Sequence, residues 1–294
     1  MRMYLLSLAL TCFLVVQPVV VSAKTAPDRS ELLAEITRLQ ALIIELQAIV
    51  DAQTLVVEAN DHPLLSSNVS SVAEYWVTGE ADLAYVTNLA HRAYFSRVFT
   101  LFPDAYDLQL ARLRVFGDDD SPYDAFVETL PPEYESWVYA VHEDVVGWGS
   151  TPASDELIVH ELGHIISYEE IVGVPKPAEA HCHAYFDRYG CPLENSFLAQ
   201  FIQAFWSEQA LDRAGEYSER PDGTEAAYTF YDAHSDAFVS EYAAIGPEED
   251  FAESFATFVL GERSGGALAR EKVDFFWQYP HLRVVRDEIR QQLE

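Results

Sequence analysis

Residues 151–166 read TPASDELIVHELGHII. Thr151 as N-cap and Pro152 at the first helical position predict a helix start. Ile158, Leu162, Ile165 and Ile166 give that helix an apolar side for a core. His160 and His164 lie one helical turn apart on one face, so both imidazoles can reach a single metal ion. Glu161 follows the first histidine and can act as general base on a water at that ion. Zinc suits the pair, because it takes imidazole and carboxylate ligands in a tetrahedron that keeps one position for water. The bare HExxH pattern recurs by chance, and a surface pair of histidines is the plain alternative. The apolar neighbours argue against it.

A third ligand is required. After His164 the chain runs Ile165-Ile166-Ser167-Tyr168-Glu169, so no third histidine follows at short spacing. Downstream, residues 248–255 read EEDFAESF. Glu249 and Glu253 share a helix face, while Phe251, Phe255 and Phe258 can seat the helix in a core. One carboxylate can then bind the metal and the other orient a ligand histidine from behind. Glu248 is the rival third ligand and Asp250 a weaker one. A solvated acidic face is the alternative, but the segment is too apolar to lie fully exposed.

At HELGH (160–164) and EDFAESF (249–255) the chain resembles the gluzincin metallopeptidases, specifically the anthrax lethal factor-like branch. That branch has an HExGH helix and a later ExFAExF helix. The resemblance covers roughly residues 130–260; it is specific at the two motifs and thin between them. It implies a zincin-like fold and peptide-bond hydrolysis. It also implies one zinc ion per chain held by His160, His164 and Glu249. Tyr242 stands where the branch has a tyrosine that stabilises the oxyanion. Its alternative is a buried core tyrosine. Glu253 would hydrogen-bond a zinc-bound imidazole, His160. The interval from His164 to Glu249 is longer than in lethal factor and carries Cys182, Cys191 and the run Phe197 to Trp206. Substrate class therefore does not transfer, nor does a toxin role.

The order of expected elements is few strands followed by many helices, an α+β order rather than an alternating one. Helices are expected over Glu80 to Phe102, Glu194 to Arg213 and Pro247 to Gly261, with two more around Pro280. Arg112 to Phe116 and Ser136 to His142 alternate like strands. Tyr139 to Val141 is expected to be an edge strand able to pair with an extended peptide. Asp118-Asp119-Asp120 reads as a solvated turn.

Met1 to Ala23 reads as an export signal: Arg2, an apolar run from Leu5 to Val16, then Val21-Ser22-Ala23. The run is short of the roughly 20 residues of a membrane span. The protein is therefore expected to be exported (periplasmic, secreted or cell-surface) and membrane-attached only if the signal stays uncleaved. Residues 24–60 hold a heptad stripe of Leu32, Ile36, Leu39, Ile43, Leu46 and Val50. It serves either self-association through residues 30–50 or packing on its own domain. Residues 61–294 form the expected catalytic domain, large enough at about 235 residues to bury a sizeable core. Cys182 and Cys191 would pair as a disulfide in an oxidising compartment. A metal site with His181 and His183 is the alternative.

Asp and Glu total 48 against 18 Lys and Arg, a net charge of −30. Nucleic acid is excluded as a partner, since a polyanion would be repelled. A peptide or protein substrate is expected. A non-catalytic zincin-fold adaptor on a coiled-coil stalk is the alternative, and a hydrolase of non-peptide amides a third reading. The intact general base, Glu161, argues against the adaptor.

Overall fold

The computed structural model describes residues 69–293 apart from 78–82, 84–85, 108, 118–120, 122, 131–135, 168–191, 193–194, 219–222 and 262–264. The expected export signal, heptad stripe and Cys182–Cys191 pairing, and Asp118 to Asp120, fall outside the described residues. Strands β1 (Ser71–Trp76), β2 (Leu110–Phe116), β3 (Ala125–Thr129) and β4 (Trp137–His142) form one sheet in the order β1-β2-β4-β3. β2 and β4 run parallel, while β1 and β3 pair antiparallel on the outside. Side chains alternate across the sheet. Leu113, Val115, Val127, Tyr139 and Val141 enter the main core, and Phe116, Phe126, Val138 and Ala140 cluster on the other face.

The helices are α1 (Leu89–Leu101), α2 (Pro152–Ser167), α3 (Phe197–Phe205), α4 (Glu208–Ser218), α5 (Gly223–His234), α6 (Pro247–Leu260), α7 (Ala267–Phe275) and α8 (Pro280–Leu293). The chain is thus α+β, helix-rich with a small sheet. Thr151 and Ser154 cap α2 reciprocally: the Ser154 N–H donates to Thr151 Oγ1 at 3.2 Å and the Thr151 N–H to Ser154 Oγ at 2.9 Å. α6 begins with Pro247 and stops at Gly261, whose φ of 82° is the left-handed C-cap that glycine adopts without strain. It is the central helix, touching α2, α3, α7 and α8. Phe251, Phe255 and Phe258 bury against Phe276.

Three expectations need correcting. Tyr139 to Val141 is not an edge strand; it lies inside β4, between β2 and β3. The unbroken apolar run Trp137 to Val141 is the pattern of a strand covered on both faces. The edges are β1 and β3 instead. The bonds bounding the β3–β4 pair run Leu130 N–H to Ser136 O and His142 N–H to Asp124 O. The alternation of an antiparallel pair then turns the backbone of Ala125, Val127 and Thr129 away from β4; all five β3 residues are nonetheless buried, and the Val127 backbone hydrogen-bonds Glu161.

The helix expected from Glu80 starts only at Leu89, because Asn88 accepts from the Ala90 and His91 N–H groups and caps it there. The span Glu194 to Arg213 breaks into α3 and α4 at Trp206. The Trp206 backbone turns extended, and its indole N–H donates to Asp250 Oδ2 at 2.9 Å. The short strand β1 and helix α5 were not expected. Among the described residues, no helix is long and apolar enough to cross a membrane.

Candidate metal centre

Helix α2 carries His160, Glu161 and His164; helix α6 carries Glu249 and Glu253. The two pack closely because Gly163 lies on the contact. A Cβ there would stand 2.9 Å from Ala252 Cα, closer than real contacts allow. His160, His164 and Glu249 consequently converge. His160 Nε2 lies 3.1 Å from His164 Nε2, and Glu249 Oε2 lies 3.2 Å from each. Ligand atoms about 2.0–2.1 Å from a tetrahedral zinc stand about 3.3 Å apart. The three atoms thus form nearly the triangular face that zinc requires. So crowded, their lone pairs repel unless a proton or a metal cation lies between them. Among the described residues, His160, His164 and Glu249 are the group able to hold a metal ion.

Glu253 Oε1 lies 2.7 Å from His160 Nδ1. A carboxylate only accepts, so Nδ1 carries the hydrogen and Nε2 turns its lone pair toward the other two ligands. Of the consecutive acids 248–250, Glu249 reaches the imidazoles. Asp250 is fully buried on the far side, 2.6 Å from Lys272 Nζ. Glu248 folds back toward Gly246.

The charges respond to this crowding. Burial works against protonation of His160, but Glu249 and Glu253 outweigh it and hold the imidazole well above its usual value. Burial would raise Glu249, yet His164 and His160 drive it far below the carboxylate range. Glu253 is lowered in the same way by His160, against its own burial. Glu161 moves up: burial dominates, and His164, His160 and the Val127 backbone N–H offset it only in part. Its side chain is buried and Oε2 has no hydrogen-bond partner. For Asp250, burial wins over Lys272 and lifts the carboxyl to about 6.

Tyr242 lies beside the centre, its ring 5.8 Å from the His160 ring. Glu249 first, then burial, raises its hydroxyl well above the phenol range. A cavity of about 250 Å³ opens next to His160 and Glu161. Its walls include Tyr123, Asp124, Trp148 and Glu156, none of which stood out in the sequence. Tyr228 on α5 is a further neighbour that was missed; burial and then Glu241, Glu249 and Glu253 raise its hydroxyl. These residues come from separate segments, and no local spacing joins them.

No protein-family model matches this chain, and a search of curated proteins finds no match either. Among solved structures, one similar chain is a "putative zinc-binding metallo-peptidase" from Bacteroides caccae. It is 14% identical with a TM-score of 0.36, covering 70% of this chain and 77% of that one. A likeness of this degree leaves the functional reading to rest on the site itself.

Proposed function

We propose that the protein is an exported zinc metallopeptidase of zincin-like fold, in the manner of the lethal factor-like gluzincins. The observation that carries this reading is the convergence of His160 Nε2, His164 Nε2 and Glu249 Oε2 beside a buried carboxylate with an unpartnered oxygen, Glu161. Residues 1–23 would direct export, 24–60 would form a helical stalk, and 61–294 the catalytic domain. Cys182 and Cys191 would close a disulfide in the oxidising compartment.

A zinc ion at these three atoms supplies Lewis acidity, polarising a carbonyl and lowering the pKa of a water to about 7. Glu253 holds the Nδ1 hydrogen of His160 and so keeps that ring in the ligating tautomer. Glu161 takes the proton of the attacking water and passes it to the leaving amine nitrogen. Tyr242 donates its hydroxyl hydrogen to the developing oxyanion.

The adaptor reading requires no general base. The buried Glu161 beside the ligands favours catalysis over it. The test is to measure zinc content and hydrolysis of a peptide library by the wild type and Glu161→Gln. Equal zinc with hydrolysis only in the wild type supports the peptidase. A zinc-loaded wild type that cleaves nothing supports the adaptor.

A further inference from the structure

Strand β3 ends the sheet, and only every second residue of it bonds to β4. The bonds at Asp124 and Leu130 fix that phase, so Phe126 and Glu128 face β4 and Val127 turns its N–H away. Val127 is nonetheless buried, at 5% exposure. A buried backbone N–H requires an acceptor, and at a sheet edge it does not come from a ladder. Here it is the Glu161 carboxylate of α2, the helix that packs against β3. Glu161 Oε2 has no partner among the described residues, so Oε1 takes the bond.

We propose that the Val127 backbone N–H is the positioning group of the general base; the inference rests on the metallopeptidase reading. Several torsions separate the carboxylate of a glutamate from its backbone, and burial alone does not choose among their rotamers. A charge-assisted hydrogen bond to a fixed donor does. The donor here is fixed. Val127 stands opposite Tyr139 in the β3–β4 register, and both side chains enter the main core. Tyr139 is fully buried, and its hydroxyl lies 3.0 Å from that of Tyr94 on α1. The sheet behind Val127 is thereby tied to a helix. Glu161 is thus held at both ends: α2 carries its backbone and β3 holds its carboxylate. The same helix carries His160 and His164, so the bond fixes where the carboxylate stands relative to the two imidazoles. Proton transfer needs donor and acceptor within hydrogen-bond reach, and a misplacement of about 1 Å can lower the rate about a hundredfold. The plainer reading is that the carboxylate only satisfies an edge N–H and that catalysis does not depend on the bond.

The test removes one hydrogen. In the full-length protein, the α-hydroxy acid analogue of valine at position 127 turns the Phe126–Val127 amide into an ester, which keeps the side chain and lacks the N–H. The same exchange at Thr129 is the comparator. It also deletes an N–H that turns away from β4, and both esters weaken the preceding carbonyl as an acceptor for β4. With zinc loaded and a peptide that the wild type cleaves, the Val127 ester should lose about 10- to 100-fold in kcat, the size of one hydrogen bond to a charged group. KM and zinc content should stay unchanged, and the Thr129 ester should keep its kcat. An unchanged kcat at Val127, an equal loss at Thr129, or a change in KM alone overturns the inference and keeps the peptidase. Amide hydrogen exchange gives a readout without turnover. The Val127 N–H should exchange about tenfold or more faster in Glu161→Ala than in the wild type. Glu161→Gln, whose amide oxygen still accepts, should restore much of the protection. Exchange at Val127 that ignores Glu161→Ala also overturns the inference. A zinc-loaded wild type that cleaves no peptide, with Val127 exchange still dependent on Glu161, removes the peptidase reading and the positioning role with it, and keeps the bond.

Discussion

Gly163 lies directly against Ala252, backbone to backbone. A Cβ on Gly163 would meet Ala252 Cα at 2.9 Å and its carbonyl oxygen at 3.3 Å. This contact sets how closely helix α2 approaches α6, and hence where His160 and His164 stand relative to Glu249. Gly163→Ala gains helix propensity of about 1 kcal/mol. It must also part the helices, at an overpacking cost of about 1–3 kcal/mol. The expected outcome is weaker zinc binding in a chelator competition, with the helical circular-dichroism signal preserved. Unchanged zinc affinity would show that the site does not depend on this contact.

Glu253 is argued to act through His160. Replacing Glu253 by Ala removes the acceptor at 2.7 Å from Nδ1 and frees the ring to change tautomer. Losses of about 10–100-fold in metal affinity or activity are typical of such supports. Glu253→Gln can still accept the Nδ1 hydrogen through its amide oxygen and should recover part of the loss. If both variants bind zinc like the wild type, Glu253 does not position the ligand.

Behind the centre, Lys272 and Asp250 form an ion pair at 2.6 Å, both buried. Trp206 donates to the same Asp250 oxygen, and Lys272 also lies 4.0 Å over the Phe238 ring. The pair pins the first turn of α6 to α7. Lys272→Met leaves a buried carboxylate without its partner, which costs about 3–5 kcal/mol. Adding Asp250→Asn should restore a substantial share of that loss. Urea unfolding of the wild type, the two single variants and the double variant measures the coupling. Strictly additive losses would contradict it.

On the other side of the core, the Tyr75 hydroxyl lies 2.8 Å from His91 Nδ1, joining β1 to α1. Burial lowers the His91 pKa, and Glu143 restores it only in part. A depressed folded value means that the unfolded chain takes up the proton first. The associated stability is therefore present above the unperturbed histidine pKa of about 6.5 and is lost as pH falls below it. Thermal unfolding of the wild type should show a steeper drop in midpoint between neutral and mildly acidic pH than that of His91→Gln. Parallel curves would exclude His91 as a source of the dependence.

The reach of sequence reasoning follows the range of the interactions. The α2 start at Pro152 and the shared face of His160 and His164 are set within a few residues, and were legible. So was the α6 helix with Glu249 and Glu253 a turn apart. Which of Glu248, Glu249 and Asp250 turns toward the imidazoles depends on how α6 is rotated. Contacts with Gly163 and Lys272, far away in the chain, fix that rotation. The five-residue strand β3 is an edge strand only through its pairing with β4. The break at Trp206 reflects a hydrogen bond to Asp250, and the cavity walls assemble from separate loops and helices. None of these leaves a local pattern.

The most direct measurement is the metal content of purified full-length wild type and Glu249→Ala, taken with X-ray absorption at the zinc edge. The expected result is one zinc per wild-type chain with two imidazole nitrogens and a carboxylate oxygen at about 2.0–2.2 Å. Most of that zinc should be lost in Glu249→Ala. Unchanged zinc content and coordination in the variant, or sulfur among the ligands, would contradict a centre built from His160, His164 and Glu249.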